Sequence, residues 1–194
     1  IASGVLYIWG DGASGQLGLG EDLCVPTPLP RMVDALSSME AVDVCCGQRH
    51  TIVLVSTGAL FGFGDGSAGQ LGLGTLVKRV PIPRQVAFPD KQRISLIACG
   101  DSHTAAVTES GQLLTWGHAA NGRLGQEGSR DKIAPAPVDA VANKHVRMVV
   151  CGGSHMAVTV THTWVPDKEA RDCMACKKRF TQVRRRVRLA NICE

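Results

Sequence analysis

Three stretches decide the fold: WGDGASGQLGLG at Trp9–Gly20, FGDGSAGQLGLG at Phe63–Gly74 and WGHAANGRLGQEG at Trp116–Gly128. Their first residues are 54 and then 53 positions apart. A second motif runs in phase with the first: CGQRHT from Cys46, CGDSHT from Cys99 and CGGSHM from Cys151, with steps of 53 and 52. Two motifs that keep one period define an internal repeat of about fifty residues.

Working outward, Pro-rich stretches lie between the motifs at Pro26–Pro30, Pro81–Pro83 and Pro135–Pro137. Short β-branched runs follow and end at the Cys-Gly pair, as at Ile94–Cys99 and Val146–Cys151. After each Gly-x-x-His comes an apolar run, a turn and a second run. His50–Val55, Ser56-Thr57-Gly58 and Ala59–Gly64 predict one hairpin, and His103–Thr108, Glu109-Ser110-Gly111 and Gln112–Gly117 predict the next. No helical periodicity precedes residue 164. The 22 glycines suit many tight turns between short strands. A repeat of this length with several strands reads as a propeller blade.

The motifs also imitate chemistry. Gly10–Gly15 and Gly64–Gly69 are literal G-x-G-x-x-G sequences after a strand. A dinucleotide site needs a helix next, to point its N-terminus at the pyrophosphate. Here Gln-Leu-Gly-Leu-Gly and prolines follow, so the glycines are read as turns. Ser102-His103 suggests nucleophilic catalysis, but a catalytic residue is needed once, whereas His50, His103 and His155 recur in every repeat. Together with Gly47, Gly100 and Gly152 they are read as structural, the imidazole tying strand to loop. Cys45, Cys99 and Cys151 end apolar runs and are read as small buried hydrophobes, with no redox or metal role.

The Gly-rich and Cys-Gly-x-x-His blocks together resemble the regulator of chromosome condensation repeat, over residues 1 to about 163. The resemblance implies an all-β fold of propeller blades, about three here, and a ring that is incomplete beside the roughly seven blades usual in that family. The first residues, Ala2-Ser3-Gly4 and Val5–Gly10, match the second half of a hairpin, and His155–Thr161 match the first half of another. The expectation is an arc taken from a longer protein.

From Trp164 the texture changes. Nine Lys and Arg stand against four Asp and Glu there, a local +5 within a total of +4, so the body is near neutral and the tail basic. That distribution does not suit a uniformly basic nucleic-acid binder. No apolar run approaches the ~20 residues a membrane-spanning helix needs. The eight cysteines are not needed as a disulfide framework in a chain of this length, which favours a reducing intracellular compartment.

Cys173-Met174-Ala175-Cys176 is a C-x-x-C pair, half of a zinc site. Preceded by Trp164 and Asp167 and followed by Phe180 and a run of arginines, it resembles the start of a FYVE zinc finger. The order of repeat and finger resembles the plant-type proteins that join a pleckstrin-homology domain, such repeats and a FYVE finger. The resemblance implies residues 164–194 as a truncated or degenerate finger. It implies zinc ligation by Cys173, Cys176 and Cys193, and an anionic or 3-phosphoinositide membrane surface met by Trp164, Lys177, Lys178, Arg179, Arg184, Arg185 and Arg186. The family's eight ligands hold two zinc ions; after residue 160 only His162 and those three cysteines are offered, enough for at most one. The basic run reads equally as a solvated tail, a nuclear-localisation signal or an RNA contact.

The functional expectation is a non-enzymatic scaffold, with a protein partner on the propeller loops and a cytoplasmic, peripheral endomembrane or nuclear location. The alternative is guanine-nucleotide exchange on a small GTPase, an activity of some members of the repeat family.

Overall fold

The computed structural model describes residues 4–88 and 92–161. Every element that the repeat predicts is a strand. Two four-stranded antiparallel sheets form the centre. Blade B is β3 (Ala41–Cys46), β4 (His50–Val55), β5 (Leu60–Gly66) and β6 (Val77–Gln85). Blade C is β7 (Ile94–Cys99), β8 (His103–Thr108), β9 (Leu113–Gly117) and β10 (Lys132–Pro137), and both sheets run in chain order.

Two half-blades flank them. β1 (Tyr7–Gly10) pairs with β2 (Thr27–Met32) as half-blade A. β11 (Val146–Cys151) pairs with β12 (Met156–Val160) as half-blade D. By their place in the repeat, β1 and β2 correspond to the outer strands of a blade and β11 and β12 to the inner ones. Among the described residues the three repeats therefore build two four-stranded blades flanked by two two-stranded halves. Each sequence repeat gives its first half to one blade and its second half to the next.

The hairpins lie where the Gly-marked turns predict them. β4 and β8 keep their expected bounds, whereas β5 runs from Leu60 to Gly66 and β9 from Leu113. The same irregularity recurs in each inner strand, between Ala41 and Asp43, Ile94 and Leu96, and Val146 and Met148.

Burial explains the composition of the strands. β4 and β8 are buried at every residue, so HTIVLV and HTAAVT are not alternating patterns but the middles of sheets covered on both faces. The outer strands β2 and β6 are mostly exposed and hold the prolines, which cannot donate to a ladder. Phe63 and Trp116 occupy one repeat position and are both 0% exposed; Trp9 holds the same position in half-blade A and is 58% exposed.

The covering partner of that aromatic is a glycine of the preceding blade. A Cβ on Gly18 would lie 2.9 Å from the Phe63 ring, and one on Gly72 would lie 2.8 Å from Trp116 Nε1. Gly74 has a similar left-handed φ of +74° but open space around it. Alanine at residue 74 is expected to cost ~1–2 kcal/mol through its backbone alone. Alanine at residue 72 adds a further ~1–3 kcal/mol of overpacking against Trp116. Urea denaturation of the two variants checks the order, and equal losses contradict the packing account.

Candidate functional site

The residues that imitate catalytic and nucleotide-binding motifs converge on the seams between blades. At the seam of B and C, His50 Nε2 lies 3.0 Å from Thr104 Oγ1, and Thr104 Oγ1 donates to the Gln70 carbonyl at 2.8 Å. The hydroxyl has one proton, and it is committed to Gln70. His50 therefore carries its proton on Nε2 and donates it to Thr104. Trp116 Nε1–H donates to the same Gln70 carbonyl at 2.9 Å. One buried carbonyl of blade B thus receives two donors from blade C.

The glycine of the Cys-Gly-x-x-His motif makes room for the ring. A Cβ on Gly47 would stand 2.2 Å from His50 Cε1 and 2.6 Å from the Gly100 carbonyl of the next blade. Gly100 repeats this against His103 and the Gly152 carbonyl. The backbone closes the same loop, with Gly47 N–H donating to His50 O at 2.8 Å and Gly100 N–H to His103 O at 2.9 Å. Across the seams, Gln48 N–H donates to Asp101 O at 3.2 Å and Asp101 N–H to Gly153 O at 3.1 Å.

The outer loops lock the seams further out. Gly20 N–H donates to Pro81 O at 3.0 Å, and Gly74 N–H to Ile133 O at 2.9 Å. Within these loops Asp11 and Asp65 accept from the backbone two residues on, at Ala13 and Ser67. The third loop has His118 at that position. Asp131 takes over, accepting from Ala119 N–H at 2.8 Å and lying 3.0 Å from His118 Nδ1.

The seam of C and D departs from the pattern at one residue. Thr51 and Thr104 follow their histidines, and Met156 follows His155. Met156 pairs with Cys151 as Thr104 pairs with Cys99, so it stands where His103 needs a hydroxyl. Among the described residues neither ring nitrogen of His103 has a partner, although the side chain is fully buried. Burial, reinforced by Arg123 and His50, pushes the imidazole down to about 4. His155 lies exposed in half-blade D.

The His50 imidazole therefore ties blade B to blade C rather than a strand to its own loop, while the rings of His103 and His155 make no such tie among the described residues. Sequence reasoning missed the direction, though the Thr after His50 and His103 was the available signal. The cysteine series also needs correction. In register, Cys99 and Cys151 correspond to Cys46, which pairs with Thr51; Cys45 pairs with Ile52, one step out of phase. Cys45 Sγ meets Cys99 Sγ at 2.8 Å across the seam. Trp164, Cys173, Cys176, Lys177, Lys178, Arg179, Arg184, Arg185, Arg186 and Cys193 lie outside the described residues. Among those described, no three acidic, Cys or His side chains gather as a metal site.

Clefts open to solvent lie on the described blades. One of about 480 Å³ is lined by Ser14, Arg49, Asp65, Ser67, Leu76 and Lys78, together with Val77. Leu76 is 62% exposed beside the exposed Arg49 and Lys78. Another, of about 460 Å³, lies between the Gly18–Gly20 turn and Arg31, Met32 and Ile82.

The model of the regulator of chromosome condensation (RCC1) repeat matches residues 3–54, 57–107 and 110–159, and a second model of the repeat matches 41–70. The chain is 34% identical over 154 residues to the human probable E3 ubiquitin-protein ligase HERC3, covering 79% of this chain and 14% of that protein. It is 35% identical over 150 residues to the ultraviolet-B receptor UVR8 of Arabidopsis thaliana, covering 77% of this chain and 33% of the receptor. The crystal structure of Prp20p from Saccharomyces cerevisiae superposes with a TM-score of 0.74 at 20% identity, over 82% of this chain and 40% of that one. That structure was described with the binding of Prp20p to Gsp1p and histones, and a second, of yeast RCC1 (Prp20) bound to Kap60, has a TM-score of 0.68 at 23% identity. These likenesses show the propeller-blade fold.

Two consequences of the seam chemistry are measurable. Met156→Thr supplies the missing hydroxyl and is expected to stabilise the chain by about 1 kcal/mol in urea denaturation; no gain contradicts the assignment of His103. Because the folded His103 holds its proton less tightly than the unfolded residue, the unfolded state binds more protons between about 6.5 and about 4. Stability is whole above that window and falls as pH drops through it, by up to ~1.4 kcal/mol per pH unit. In His103→Gln the slope over the same window should flatten.

Proposed function

The chain belongs to the regulator of chromosome condensation repeat family, and from that premise we propose that its blades form a non-enzymatic scaffold that docks a protein partner on the loop face. One observation carries the reading. At the seam of B and C, His50, Thr104 and the motif glycines Gly47 and Gly100 are engaged in packing blade against blade, while Arg49, Leu76 and Lys78 stand outward around one cleft. Two cations and one half-buried carboxylate, Asp65, favour a partner segment that presents acidic side chains beside an apolar one.

The chain spans 14% of the human ligase HERC3 and 33% of the plant receptor. Ligation or light reception by those whole proteins is not carried over. The name of Gsp1p in the work on Prp20p supports the second reading, an exchange module for a small GTPase. Both readings place a protein on the loops, and they differ in whether nucleotide leaves the GTPase faster.

Residues 164–194 form the other part of the proposal. Cys173, Cys176 and Cys193 bind at most one zinc ion. Trp164 and the basic residues Lys177, Lys178, Arg179, Arg184, Arg185 and Arg186 meet an anionic or 3-phosphoinositide membrane. A cytoplasmic or peripheral endomembrane location follows, with a nuclear one as the alternative. Equal sedimentation with all anionic liposomes removes a specific phosphoinositide pocket, and two zinc ions per chain contradict the ligand count.

For the loop face, Gsp1p and histones are the first proteins to titrate. The combined variant Arg49→Glu, Leu76→Asp and Lys78→Glu is expected to weaken binding at least ~10-fold, the loss of ~1.4 kcal/mol or more, while leaving the melting temperature unchanged. Undiminished binding moves the surface elsewhere, and no binding by the unaltered chain removes these partners. Nucleotide release accelerated by the chain replaces the scaffold with the exchange reading.

A further inference from the structure

The seam between B and C contains something that its neighbour lacks. The positions in register with Cys45 are Ala98 and Val150, so this cysteine is a departure from the repeat. It brings a second sulfur to Cys99: the two Sγ atoms are 2.8 Å apart, and Cys99 Sγ is 3.5 Å from the Cys45 carbonyl oxygen. The strands involved, β3 and β7, belong to different sheets. At the seam of C and D the corresponding residues are Ala98 and Cys151, a single thiol. Cys45 and Cys99 are both free and partly buried.

We propose that Cys45 and Cys99 form a reversible disulfide that staples blade B to blade C, closed by exchange with a low-molecular-weight disulfide. The bonded S–S distance is about 2.0 Å, so the sulfurs need to approach by less than ~1 Å. The exchange balances in two steps. Cys99, as thiolate, attacks one sulfur of the reagent RSSR; that S–S bond breaks and RS⁻ leaves with the electron pair. Cys45 then loses its proton to solvent and attacks the Cys99 sulfur of the mixed disulfide, and a second RS⁻ leaves. Two protein thiols are oxidised, and one reagent disulfide is reduced to two thiols, which take up the protons.

The surroundings suit Cys99 to the first step. Burial by itself raises its thiol, but the hydrogen bond from Cys45 and the neighbouring His50 and Thr104 reverse that and bring it down to about 6. Cys45 moves the other way, held well above the usual thiol range mainly by that same hydrogen bond and then by burial. Cys151 lacks such a neighbour, and burial pushes it up to about 12.

The staple closes a separation of 54 residues and crosses a seam otherwise held by packing and hydrogen bonds. It therefore restricts the unfolded chain and prevents the two blades from parting. Its reduction restores the open seam.

The test uses the whole 194-residue chain, oxidised glutathione as probe, alkylation of remaining thiols and non-reducing tryptic mapping. Cys45 and Cys46 share the peptide 32–49, and Cys99 lies in 94–123, so the Cys46→Ala variant separates them. The expected result is a 32–49 to 94–123 cross-link in the unaltered chain and in Cys46→Ala, and none in Cys45→Ala. The oxidised chain should melt several degrees higher, reversibly with dithiothreitol, and Cys45→Ala should show no such shift. Cys45→Ala places at this position the residue that Ala98 already provides one blade on, and its far-UV spectrum checks the fold. Full alkylation of Cys45 and Cys99 after oxidation overturns the proposal. So does a cross-link that survives in Cys45→Ala, or a glutathione adduct that stays on Cys99 without closing.

Discussion

A single buried hydroxyl, that of Thr104, is the point on which the central seam depends. It receives a proton from the imidazole of one blade and gives its own to a carbonyl of that same blade, while belonging itself to the next. No apolar side chain of similar size can do both. Leaving any of the three groups unpaired in that interior costs ~1–3 kcal/mol each, so the seam is specified more sharply than apolar packing alone specifies it. The neighbouring seam shows the opposite case. Met156 replaces the hydroxyl, and the buried ring of His103 is left without either partner.

The backbone must approach closely for this bond to form, and that demand selects the glycines. Gly47 and Gly100 sit so near a ring and a neighbouring carbonyl that no Cβ fits, and Gly72 leaves the face of Trp116 free to pack. Within the G-x-G-x-x-G runs, a Cβ on Gly15 would lie 3.0 Å from Pro81 Cα and one on Gly69 2.8 Å from Ile133 Cα, so the resemblance to a phosphate cradle has a geometric reason. In both cases the backbone must lie close against a neighbour; here it is another blade instead of a nucleotide.

Much of the fold was legible in the sequence. The phase of two motifs fixed the strands, and the bounds of β4 and β8 followed from His50, His103 and the turns after Val55 and Thr108. The division into blades was less legible, because periodicity gives the length of a repeat but not where a sheet begins. Only strand pairing shows that β5 joins β4 while β7 starts a new sheet. The partners of the histidines were hidden for a related reason: Thr104 is 54 residues from His50, a contact made between repeats. Cys45 was drawn into the wrong series because two adjacent cysteines end β3, and only register separates the one facing Thr51 from the one meeting Cys99. The cleft around Leu76 was not legible, since it gathers residues from both motifs, Ser14, Arg49, Asp65 and Ser67, with Leu76 and Lys78, which lie outside them in sequence.

The offset between repeat and blade has a mechanical meaning. A segment such as 57–107 begins with the outer strands of one sheet and ends with the inner strands of the next, so the covalent chain itself crosses every seam. Tension along the backbone is then delivered to the seam in parallel with the hydrogen bonds and rings that hold it, and no sheet can be drawn out as an intact bead. The arc behaves as overlapping shingles, in which lifting one piece means first loosening the piece laid over it.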